Sequence, residues 1–60
     1  MSTVYNPEAD TMATIEVLEL EVRQVRRKLL SSRHEEDRRV LNRQVNELKA
    51  EIASLQAKLP

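Results

Sequence analysis

The sixty residues include ten basic and ten acidic side chains and one histidine, with no cysteine and no glycine. A chain this short forms at most one small domain and buries only a modest share of its surface when folded alone. Without cysteine there is no disulfide framework, thiolate nucleophile or usual structural zinc site, and without glycine the usual phosphate-cradling loops are missing.

The opening Met1-Ser2-Thr3-Val4-Tyr5-Asn6-Pro7 lacks the basic start and apolar run of a secretory signal, and charges interrupt every stretch that might span a membrane. A soluble, cytoplasmic protein is the expectation. Residues 1–6 read as a tail, with Tyr5, the single aromatic, placed to cover the free end of a helical assembly.

Asn6-Pro7-Glu8 sets a capping side chain before a proline at the first helical position. Glu8 and Asp10 are then well placed at the positive end of the helix dipole. Helix one is expected over about 7–30, with a later start near Thr11 as the alternative. Thr14 to Val22 alternates locally like a strand, but Val25-Arg26-Arg27-Lys28-Leu29-Leu30 continues as helix, and a lone strand would leave its backbone groups unpaired. The stripe Ile15, Leu18, Val22, Val25 and Leu29 has the three- and four-residue spacing of a helix face that packs on another helix, and Leu30 lies outside it. Ala13, Val17 and Leu20 lie on the opposite side, so this helix is apolar nearly all round. Two occupants suit that second face: another copy of the chain, giving a homodimeric four-helix bundle, or a protein partner.

Ser31 to Arg39 contains no aliphatic residue. Ser32 followed by Glu35 is a capping-box pattern, so a turn at about 31–33 and a second helix over about 33–59 are expected. One uninterrupted helix is the alternative, because no glycine or proline breaks the segment and Glu35 can pair with Arg39. The second stripe is Leu41, Val45, Leu48, Ile52, Leu55 and Leu59. In one straight helix it would sit roughly 120° from the first, too far for a single seam. Folding back between Ser31 and Ser32 faces Val25 with Arg38, Val22 with Leu41, Leu18 with Val45, Ile15 with Leu48 and Val4 with Leu59. Asn42 and Asn46 fall beside the stripe and are expected to be solvated. Ala50, Ala53 and Ala57 lie on its outer side, where they favour helix and permit close approach.

Charge is unevenly distributed. Residues 1–22 hold five acids and no bases, whereas residues 23–43 hold eight bases and three acids. The basic cluster, Arg23, Arg26, Arg27, Lys28, Arg33, Arg38, Arg39 and Arg43, gathers at the turn of a hairpin. Three readings apply to it: a solvated face paired locally with Glu35, Glu36 and Asp37, a contact for nucleic-acid phosphates, or a contact for an acidic protein surface. No aromatic is interleaved for base stacking. A membrane-surface helix is disfavoured because Glu16, Glu19 and Glu21 flank the broadest apolar surface. His34 has no positioned partner for catalysis or metal binding, so neither an enzyme nor a cofactor is expected.

These readings point to an all-α protein: an antiparallel, coiled-coil-like helical hairpin that assembles as a homodimeric four-helix bundle, with a single long coiled-coil helix as the alternative. Its expected role is non-enzymatic, as an oligomerisation or adaptor protein that assembles with or regulates a larger protein. A nucleic-acid-binding regulator using the arginines is the runner-up.

Overall fold

Helix α1 starts where its capping chemistry is complete. In the computed structural model, which describes residues 6–60, Asn6 is extended and its side-chain oxygen accepts from the backbone N–H of Glu8 at 3.1 Å and of Ala9 at 3.3 Å. Pro7 occupies the first helical position, where its missing N–H costs nothing. From there α1 runs Pro7–Ser31. The hydroxyls of Thr11 and Thr14 donate to the carbonyl oxygens of Pro7 and Asp10, one turn back, so neither competes for backbone donors.

Ser32, Arg33 and His34 link α1 to α2 (Glu35–Gln56). Ser32 and His34 are both extended, with ψ of 130°, and no described residue has a positive φ. A chain without glycine thus leaves its first helix through extended residues instead of a left-handed cap, which would bring a Cβ too close to the backbone.

The predicted capping box is not formed. Ser32 closes α1, its backbone N–H donating to the Leu29 carbonyl at 3.3 Å, and the residue before α2 is His34, whose side chain makes no capping hydrogen bond. Glu35, Glu36 and Asp37 in the first turn compensate the helix dipole at this uncapped start. The turn therefore occupies 32–34, and α2 starts two residues later than expected. At its far end α2 closes at Gln56, three residues short of Leu59. Lys58 and Leu59 donate to the carbonyls of Leu55 and Gln56, tightened bonds typical of a fraying last turn.

The two helices pack against each other along their length as an antiparallel hairpin, and the single continuous helix is not the fold. Pro7, Glu8 and Thr11 line one groove with Lys58 and Leu59 at the open end. The fold-back point differs from the expected one: the linker is centred on Arg33, whereas the expected reversal lay between Ser31 and Ser32. Val25 lines one groove with Leu48, and Val22 lines another with Ile52. The expected pair of Val4 with Leu59 and the placing of Tyr5 lie outside the described residues.

Candidate functional site

The hairpin core is thin. Ile15, Leu18, Val22 and Val45 are 6–8% exposed, and no other described residue is buried. Val25, Leu29, Leu41, Leu48, Ile52, Leu55 and Leu59 are half-buried along the same seam, together with Thr11, one turn before Ile15. Carrying the stripe's spacing one step towards the N-terminus would have found Thr11. The radius of gyration is 15.2 Å, where a compact chain of this length has about 10 Å. The chain exposes 5296 Å², where a compact monomer of its 7.0 kDa mass exposes about 4000 Å². Two helices alone leave apolar surface uncovered, because each offers only one stripe to the other.

That surface is concentrated on α1. Val17 is 54% and Leu20 53% exposed, and Ala13 is exposed beside them. At 100° per residue these three centre on the side of α1 opposite Ile15, Leu18 and Val22. Met12, 54% exposed, flanks the patch, and the sequence reading missed it because it belongs to neither stripe. The outer side of α2 differs in kind. Arg39, Asn42, Arg43, Asn46, Glu47 and Ala50 line a shallow depression there, and Ala53 and Ala57 are exposed farther along. Leu30, 89% exposed, and Val40, 56% exposed, are isolated apolar residues near the turn.

The eight clustered bases are all exposed and lie towards the turn end. Arg23, Arg26, Arg27 and Lys28 come from the last turns of α1, Arg33 from the linker, and Arg38, Arg39 and Arg43 from the first turns of α2. Among the described residues one ion pair forms, Arg39 to Glu35 at 3.7 Å, with both side chains about four-fifths exposed. An exposed pair of this kind adds little to stability. The open end has the opposite charge, since Glu8, Asp10, Glu16, Glu19 and Glu21 all precede the first base. The hairpin is therefore acidic at one end and basic at the other.

His34 is exposed in the linker. Among the described residues no three His, Cys, Asp or Glu side chains are grouped to hold a metal, and no helix is long and apolar enough to cross a membrane. Comparison with known protein families, curated proteins and solved structures finds no match. Two surfaces of the hairpin stand out, the apolar outer face of α1 and the basic turn end.

Proposed function

We propose that this chain is a non-enzymatic assembly module. Two copies join through the outer face of α1 as a four-helix assembly, and that assembly acts as an adaptor on, or regulator of, a larger protein. The observation that carries this reading is the half-exposed pair Val17 and Leu20 beside Ala13, on the side of α1 turned away from a core of four buried side chains. A hairpin this thin gains stability by covering that face, and a neighbouring helix covers it best.

Leu20→Asp tests the proposal. A carboxylate trapped without a partner in the interface costs on the order of 3 kcal/mol. Sedimentation should show the variant at single-hairpin mass, and circular dichroism should show less helix. An unchanged assembly would mean that Leu20 faces solvent and that the reading is wrong.

A second reading has its own observation: among the described residues, seven of the eight clustered bases lack an acidic side chain within salt-bridge distance. Phosphates of DNA or RNA suit such a surface. Replacing Arg27, Arg38 and Arg39 with Gln should then weaken nucleic-acid binding and flatten its salt dependence while helicity persists. No binding to either nucleic acid at low salt would remove this reading.

A further inference from the structure

We infer that the second copy seats on α1 in antiparallel orientation about a two-fold axis, with Asp10 of each copy opposite Arg27 of the other. This rests on the self-association proposed above and adds its direction and register.

The outer face of α1 is a seam in its own right. Asp10, Ala13, Val17, Leu20, Gln24 and Arg27 follow one another at alternating steps of three and four residues and are all exposed, with Gln24 at the edge of a groove shared with α2. The apolar centre of the seam carries an acid at one end and a base at the other. Antiparallel helices placed with Val17 opposite Leu20 of the second copy bring every level of the seam into a compatible pair. Two layers of Val17 with Leu20 form the middle, Ala13 meets Gln24 on either side, and Asp10 meets Arg27 at both ends. On the flank, Glu16 falls beside Arg23 of the other copy. One two-fold operation generates each contact twice, as a closed dimer requires.

The parallel arrangement fails on the same residues. It sets Asp10 beside Asp10 and Arg27 beside Arg27. Its flanking positions, five residues apart on the two helices, would join Glu16 to Glu21 and Arg23 to Lys28. Every one of these is a like-charge contact. Because the acids of α1 all precede its bases, reversing one copy converts repulsion into attraction at each level. The apolar patch supplies adhesion and the charges select direction.

The direction is read from a single spin label at Arg33, exposed in the linker, on otherwise unmodified full-length chain. In the antiparallel dimer the two labels sit at opposite ends, about 45 Å apart from the rise of 1.5 Å per residue. In a parallel dimer they sit within about 20 Å, given neighbouring helix axes 8–10 Å apart. Dimer mass with the short distance overturns the direction and leaves self-association standing. Single-hairpin mass at every concentration overturns both.

Charge exchange gives an independent readout. Asp10→Arg and Arg27→Asp should each weaken the dimer about three- to tenfold, and the double variant should restore it, with helicity by circular dichroism checked throughout. A double variant no stronger than either single, while equally helical, overturns the pairing. Raising salt should weaken the antiparallel dimer; strengthening by salt overturns it.

Discussion

The two helices are close in length, 25 and 22 residues, yet they differ in what they leave uncovered. Three of the four buried side chains belong to α1, which still exposes Val17 and Leu20 on its other side. α2 contributes Val45 to the core and presents arginine, asparagine and alanine outward. A helix with one apolar face is satisfied by one partner, whereas a helix with two must sit between partners or leave apolar area in water. The hairpin supplies α1 with one partner only. The difference leaves the larger uncovered apolar surface on α1, while the outer side of α2 is lined by arginine, asparagine and alanine.

The most damaging way to break this comparison is through the shared core. Val45→Asp places a carboxylate at the one buried position of α2, 7% exposed. It should destabilise the hairpin by on the order of 3 kcal/mol or more. Circular dichroism should then show loss of most helical signal, and full retention would mean that α2 does not depend on α1 for its order.

The helix starts sharpen the comparison at a smaller scale. Asn6→Ala removes the oxygen that accepts from Glu8 and Ala9 and should cost about 1 kcal/mol, read as a lowered melting temperature. α2 lacks such a cap, so His34→Ser should move stability the other way, by about 0.5 to 1 kcal/mol. Equal responses at the two positions would contradict the asymmetry of the caps.

The smallest effect is expected from carboxylates placed outside both the core and the α1 face. Leu30→Asp, at a residue 89% exposed, and Ala50→Asp, on the outer side of α2, should leave the sedimentation coefficient unchanged. If Ala50→Asp dissociated the assembly while Leu20→Asp did not, the interface would lie on α2 and the comparison would be inverted.

The aliphatic spacing by itself determined an all-helical chain and favoured two helices over one, because Ile15 to Leu29 and Leu41 to Leu59 fall in two phases that one straight helix cannot bury on one side; that the chain reverses was decided by the tertiary structure. The surplus apolar side of α1 and the charge division between the two ends were legible for the same reason: each is a one-dimensional pattern projected onto a helix of known pitch. The fold-back point and the linker were decided only in the tertiary structure. A pattern that repeats every seven residues offers several fold-back points of nearly equal quality, and local sequence does not rank them. Ser32 shows the consequence. Its capping pattern with Glu35 is a sound local signal, but in the folded chain its backbone N–H closes α1 and the residue stays extended, so α2 starts at Glu35 without a side-chain cap. Burial along the whole seam outweighs one capping hydrogen bond worth about 1 kcal/mol, and that choice exists only once both helices are in place.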